Sequence, residues 1–338
     1  MIRLGLIGAG TMGKLYVRAF TQHPGTTIVA ICDLNEGAAR DLADRFNDAN
    51  VFTSYEQMLT DTPLDAVIVA TPDFAHRDPV IAALDAGKHV LCEKPMATTV
   101  EDCQLMVDAA DRSGKQLMIN FGNRHRPASH FLKERVASGE LGPIEYVYMR
   151  LNEKRGKTGT LAWADQTSPL WFLLSHVTDY VRWLIDAEIV EVYGLGYTGF
   201  LKREQGLDTP DTMVFLVKFD NGASATLESS WILPESYPRV VDLQIEVIGE
   251  RGMVQHDFIE QGLRSFTQAA VDIPWDWGAP GPDGRETGWW IDSCHYFIHC
   301  LATGQQAKPD ARDGLAVVAA LVAMQQSYER GTVVKVAY

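Results

Sequence analysis

Three glycines carry the first chemistry in this chain. In "LIGAGTMGKLY", Gly8, Gly10 and Gly13 follow an apolar run and open a helix-forming stretch with Gly-x-Gly-x-x-Gly spacing. In that spacing the first glycine makes a tight turn, the second lets a pyrophosphate approach the backbone, and the third packs helix on strand. Asp33 ends the next apolar run, "TTIVAICD", about 20 residues on, where a carboxylate accepts hydrogen bonds from a ribose diol. Leu34, Asn35 and Glu36 follow and bring no cation for a 2'-phosphate, so NAD is expected in preference to NADP. A second group lies in "LCEKPMATT", where an apolar run stops at Glu93, Lys94 and Pro95. An ammonium at a strand end can stabilise a developing alkoxide or shift a partner's pKa. The proline stiffens the turn, and an X-Pro bond admits the cis form for about 0.5 to 1 kcal/mol.

These residues need a frame. The runs "IRLGLI", "TTIVAICD", "DAVIVAT", "KHVLCE" and "QLMIN" alternate with helical segments near 12–22, 35–45, 55–59, 80–86 and 100–112. That alternation is the βαβ pattern of an α/β fold with a doubly wound parallel Rossmann sheet. Thr98 and Glu101 stand in capping-box spacing for the last of the helices. Ligands of such sheets bind at the carboxyl ends of the strands. That edge carries Gly8, Asp33, Thr71-Pro72 and Glu93-Lys94-Pro95, which directs Lys94 toward the nicotinamide end of a dinucleotide. After Gly142-Pro143 come longer runs, "IEYVYMRL", "DTMVFLVKF", "ASATLESSWIL" and "VVDLQIEVIG", with "FDNG" marking a hairpin. Strands without intervening helices predict an α+β domain with a large, mostly antiparallel sheet. A helix is expected near 169–184, a long surface loop over 269–288, and closing helices over 290–303 and 311–330. The domains divide as 1–122, binding NAD, and 123–338, with the C-terminal helix free to pack back on the first.

A length of 338 residues with 46% hydrophobic content fits two cores. The net charge of -14 repels phosphate backbones and anionic lipid. The densest basic cluster, Arg124-His125-Arg126, is too short to offset it, so neither nucleic acid nor membrane is an expected partner. Five cysteines (Cys32, Cys92, Cys103, Cys294, Cys300) are odd in number and lack zinc spacing, which points to free thiols in a reducing, cytoplasmic setting. "MIRLGLIGAG" runs into a glycine turn rather than a small-residue cleavage site and reads as a strand, not a signal peptide. His295 and His299 stand at i, i+4, a metal-binding spacing, yet no third ligand is evident and no metal is expected.

With GAGTMG, Asp33, "TPDFAH" and EKP in this order ahead of a sheet domain, the whole chain resembles the Gfo/Idh/MocA family. The most specific element is EKP, followed by "RHRP", Arg124 to Pro127. The resemblance implies hydride transfer between NAD and a secondary alcohol of a sugar, cyclitol or related polyol. It implies cofactor contacts from Gly8, Ala9, Gly10, Thr11, Met12, Gly13, Asp33, Thr71, Pro72, His76, Glu93 and Lys94. It also implies a homodimer or homotetramer formed through the open face of the second sheet.

The family's second catalytic segment is Asp-x-x-x-His-x-x-Asp, and "WFLLSHVTDY" supplies His176 and Asp179 but has Phe172 at the first position. The glycine-rich loop before it is replaced by "ADQTSPLW". An imidazole titrating near about 6.5 can take an alcohol proton unaided, so His176 stands beside Lys94 as a catalytic candidate. What Phe172 removes is the carboxylate that would fix the ring's tautomer and stabilise its cation. Asp179, on the same helical face, could bind substrate, partly replace the acid or be structural. Arg124 could contact substrate or pair with Glu93. Trp163, Trp171 and Trp231 could stack on a sugar ring, though such residues in a sheet domain more often serve packing. Two other functions share these residues: transient sugar oxidation followed by elimination or hydrolysis, and a non-catalytic NAD-binding regulator. Joint retention of Lys94 and His176 speaks against the regulator.

Overall fold

The aliphatic runs of the N-terminal region form short strands buried on both faces, as a parallel sheet covered by helices requires. In this computed structural model, which describes residues 1–45, 49–161, 163–260, 265–266, 271–272, 279–280 and 285–338, the chain divides into two units. The first comprises Met1–His125 with Gly278–Val318, the second Arg126–Trp277 with Ala319–Tyr338.

The first unit alternates β1 (Ile2–Ile7), α1 (Thr11–Thr21), β2 (Thr26–Cys32), α2 (Glu36–Arg45), β3 (Asn50–Phe52), α3 (Tyr55–Asp61), β4 (Ala66–Val69), α4 (Arg77–Asp85), β5 (His89–Cys92), α5 (Val100–Ser113) and β6 (Leu117–Ile119). The strands form a six-stranded sheet in the order β3-β2-β1-β4-β5-β6, and every pairing is parallel. The order reverses between β1 and β4, which opens a crevice at their carboxyl ends. Gly8, Asp33, Thr71 and Lys94 all lie on that edge, one or two residues past their strands.

Two starts differ from expectation. α4 begins at Arg77 rather than near 80, because Pro79 falls in the first turn, where its missing N–H costs nothing. α5 is capped by Thr99, whose Oγ1 accepts the Asp102 N–H at 3.1 Å, one residue past the expected Thr98. Extended backbone at Thr99 (φ -134°, ψ 151°) swings its hydroxyl over that N–H.

The second unit contains α6 (Pro127–Ala137), β7 (Ile144–Lys154), α7 (Ser175–Ile185), β8 (Ile189–Tyr197), α8 (Phe200–Gln205), β9 (Thr212–Phe219), β10 (Ser224–Leu233), β11 (Val241–Gly249) and β12 (Gly252–Asp257). Its seven-stranded sheet runs β12-β11-β7-β10-β9-β8 and ends on Val334–Lys335. All its pairings are antiparallel except β7 with β10, and "FDNG" forms the β9–β10 hairpin. One face buries Val147, Met149, Leu151, Leu227, Trp231, Leu243 and Ile245. The other carries a polar ladder in which Tyr146 bonds Thr226, Tyr148 and Asn152 bond Glu228, and Arg150 bonds Asp242. β8 is absent from the sequence reading because Gly194 and Gly196 break its pattern. A Cβ on Gly194 would come within 2.4 Å of the Phe215 ring, so the glycine admits a close approach.

The closing helices are α9 (Trp289–Thr303), in the first unit, and α10 (Ala311–Arg330), within which the division between units falls. The expected loop over 269–288 lies mostly outside the described residues. Among the described residues, no helix is long and apolar enough to cross a membrane.

Candidate active site

The glycine turn divides its labour among its three positions. Gly8 has φ +101°, and a Cβ there would meet the Ala70 carbonyl oxygen at 2.6 Å. At Gly13 an added Cβ would stand 1.9 Å from the Gly8 carbonyl oxygen, so this glycine lets α1 lie against the turn. Gly10 differs, since a Cβ there would meet nothing of the protein within 4 Å. Its bareness serves no internal packing, and it leaves room beside the N-terminus of α1, where free N–H groups favour an anion. Gly10 and Thr11 are exposed and Met12 half-buried around that space, while Ala9 is buried.

Asp33 braces the same turn. Its carboxylate accepts the Ala9 N–H at 2.7 Å and the Asn35 N–H at 2.8 Å, one on each oxygen. A carboxylate has about four lone-pair sites, so both oxygens keep capacity for a ribose diol. Leu34 beside it is 94% exposed and offers nothing to a 2'-phosphate. These residues fit NAD.

Lys94 is half-buried and follows β5, and its bond to Pro95 is cis. Glu93 and His76 were expected on the cofactor, and the structure gives both inward roles. Glu93 is 5% exposed, accepting the Tyr16 hydroxyl at 2.5 Å on Oε1 and the Lys94 N–H at 3.1 Å on Oε2. His76 is 1% exposed, with Nδ1 2.9 Å from the Pro95 carbonyl and Nε2 2.9 Å from that of Thr71. Its ring braces the turn after β4 against the turn after β5, because burial leaves it no ligand-facing edge. Thr71 and Pro72 remain half-buried at the crevice. Arg124 is buried in an ion pair with Asp313 at 3.3 Å.

In the second unit a π-turn, Leu170–Leu174, runs directly into α7 and carries Phe172 toward His176. Such turns widen a helix locally and recur at functional sites. Phe172 packs against Trp231 with ring centroids 5.8 Å apart, and Trp231 is fully buried, which assigns that tryptophan to packing rather than to a sugar ring. Lys157 sets its ammonium 5.5 Å above the Phe172 ring and 3.6 Å from Glu153. His176 is half-buried with Nδ1 inside. Asp179 is 1% exposed on α7, and its charge helps hold the Arg182 guanidinium above its ordinary pKa, behind the Glu188 contacts. That depth favours the structural role over a substrate contact. Trp163 is half-buried after the loop that follows β7. A recess of about 670 Å³ in this unit, lined by Gly156, Thr158, Leu161, Ala164, Asp165 and Gln205 among others, includes none of the expected site residues. His295 packs edge-on against His23, a contact of the first unit.

Sequence reasoning missed Tyr16, Asn120, Glu153 and Lys157. Asn120 had a signal, since it ends "QLMIN" on the ligand-bearing edge. Tyr16 had a weaker one, a phenol on the apolar face of the helix that the glycines open.

A Rossmann unit with an open glycine turn, an acid past its second strand and a lysine past its fifth defines a nicotinamide-dependent oxidoreductase. The chain belongs to the oxidoreductase family with an NAD-binding Rossmann fold (GFO/IDH/MocA), whose model matches residues 2–121 and whose C-terminal domain matches 130–255. It is 32% identical to inositol 2-dehydrogenase 3 of Saccharopolyspora erythraea, covering 99% of this chain and 96% of that one. It is 29% identical to inositol 2-dehydrogenase of Acidothermus cellulolyticus, over 98% and 94% of the two chains. In fold it matches scyllo-inositol dehydrogenase from Lactobacillus casei, solved with NAD(H) and scyllo-inositol, with TM-score 0.87, 20% identity and full coverage of both chains.

The second and third glycines should separate binding from stability. Gly10→Ala is expected to leave the melting temperature within about 2 °C of wild type while weakening NAD at least tenfold, about 1.4 kcal/mol. Gly13→Ala should lower the melting temperature clearly, by the several degrees that about 1 to 3 kcal/mol implies. Differential scanning calorimetry and titration calorimetry read the two effects, and unimpaired NAD binding by Gly10→Ala contradicts the assignment.

Proposed function

We propose that the chain oxidises a secondary hydroxyl of an inositol-like cyclitol, with NAD as the hydride acceptor. The observation that carries this reading is the placement of Lys94, held by Glu93 through its own N–H at the carboxyl edge where the glycine turn and Asp33 fit a dinucleotide. Similarity along the whole chain to inositol 2-dehydrogenases supports the cyclitol over other polyols. It also favours net dehydrogenation over transient oxidation or a silent regulator.

Bound NAD supplies a two-electron acceptor at the nicotinamide ring. The rest falls to the protein. The ammonium of Lys94 donates a hydrogen bond to the substrate oxygen, and its charge stabilises the alkoxide that develops as the hydroxyl loses its proton. In the second unit the base candidate is His176, which with Nδ1 inside has Nε2 left to take a proton. Phe172 stands where a carboxylate would otherwise support the imidazole, and its packing on Trp231 fixes the turn before His176 by shape instead of charge. All five cysteines are buried free thiols, which suits the reducing cytoplasm.

The open face of the second sheet joins copies of the chain. Leu195, Tyr197, Leu216 and Met253 are 59%, 68%, 55% and 51% exposed on it, an apolar surface that a monomer would leave in water.

Two measurements follow. With myo-inositol in a cyclitol panel, NADH absorbance should rise, and Lys94→Met should lower kcat by about 10² or more with little change in NAD affinity. Turnover within threefold of wild type removes Lys94 from the chemistry. In sedimentation velocity the wild type should run as a dimer or tetramer of the 37.5 kDa chain. Leu216→Lys should shift it toward monomer, and a monomeric wild type at micromolar concentration contradicts the interface.

A further inference from the structure

The turn that carries Lys94 is anchored by a chain of buried side chains that does not itself reach the crevice. Tyr16, on the inner face of α1, donates to Glu93 Oε1 at 2.5 Å. Asn120, just past β6, donates from Nδ2 to the Tyr16 oxygen at 2.6 Å. Ser293 of α9 reaches Asn120 Oδ1 at 2.8 Å. Tyr16 and Ser293 are 0% exposed and Asn120 is 3% exposed. The far oxygen of Glu93 holds the Lys94 N–H.

Stability alone does not call for such a chain. The Tyr16 ring already packs against Phe20 at 6.2 Å and Trp290 at 4.9 Å, contacts a phenylalanine would keep. Buried polar and ionic groups often do no better than apolar packing of the same volume. What apolar packing cannot do is fix the rotation of a carboxylate. Here that rotation decides whether Oε2 faces the Lys94 N–H. Burial, and then the neighbouring Glu93 charge, hold the Tyr16 phenol well above its ordinary pKa, so the hydroxyl keeps the proton it donates.

We propose that Tyr16 is a positioning residue for Lys94, acting through Glu93, and that it ties the helix behind the dinucleotide turn to the turn that presents the ammonium. This rests on the catalytic reading of Lys94 given above.

The test uses the full chain with NAD and myo-inositol. Tyr16→Phe should lower kcat about tenfold or more while the Kd for NAD and the KM for inositol stay within about threefold. Glu93→Gln keeps an acceptor for Tyr16 but turns an N–H toward that of Lys94, and it should lose as much. Combined, the two should lose no more than either alone, as links of one chain. A purely structural tyrosine would lower the melting temperature and leave kcat within twofold. That result overturns the proposal, as do additive losses in the double variant. If Tyr16→Phe does not fold, Ser293→Ala at the far end of the chain carries the test. It should lower kcat two- to fivefold at constant KM, and an unchanged kcat refutes the link. Lys94→Met separates the two claims. If that variant turns over like wild type, the reading of Lys94 fails. If Lys94→Met loses about 10² or more while Tyr16→Phe keeps kcat within twofold of wild type, the positioning role alone fails.

Discussion

A carboxylate in an apolar core is costly unless its lone pairs are filled, and the first unit is arranged around filling those of Glu93. Tyr16 comes from α1, Asn120 from the end of β6 and the Lys94 N–H from the turn itself. Each donor is fixed by an element that must be in place for another reason. α1 has to present its N-terminus beside Gly10, and β5 and β6 have to end together at the crevice. One buried carboxylate therefore holds in register the turn that fits a dinucleotide and the turn that presents Lys94. His76 adds a second brace between neighbouring turns.

The second unit solves its problem with shape. A carboxylate four residues before His176 would restrain the imidazole by hydrogen bonding and raise its basicity. Phe172 cannot, and instead the π-turn presses it against the buried Trp231, with the Lys157 ammonium over its outer face. The Lys157–Glu153 pair returns a carboxylate and an ammonium to the neighbourhood of the missing acid, carried by β7 and the loop after it rather than by the helix. The surroundings of Phe172 are thus supplied in part by residues outside its own helix.

That distance explains what could be read without coordinates. The glycine spacing, Asp33, EKP and the alternation of strand and helix are local signals, so the Rossmann sheet and its ligand-bearing edge were legible. The antiparallel sheet was legible where its strands were long and β-branched, and illegible at β8, where two glycines make room for neighbouring side chains. Inward roles were the hardest to see. Glu93 and His76 sit in motifs that face a cofactor, and nothing in their spacing says that their side chains turn back into the core. Tyr16 and Asn120 lie 104 residues apart and meet only because β6 follows β5 in the sheet.

The proposed reaction is a net, direct transfer of hydride from a cyclitol carbon to NAD. Ring-perdeuterated myo-inositol in a single turnover with stoichiometric enzyme and NAD tests it most directly, read by mass spectrometry of the nucleotide. Direct transfer places one deuterium in each NADH formed, with a ketone released in equal amount. Substrate consumed with the nucleotide still oxidised, or NADH formed without deuterium, would contradict it.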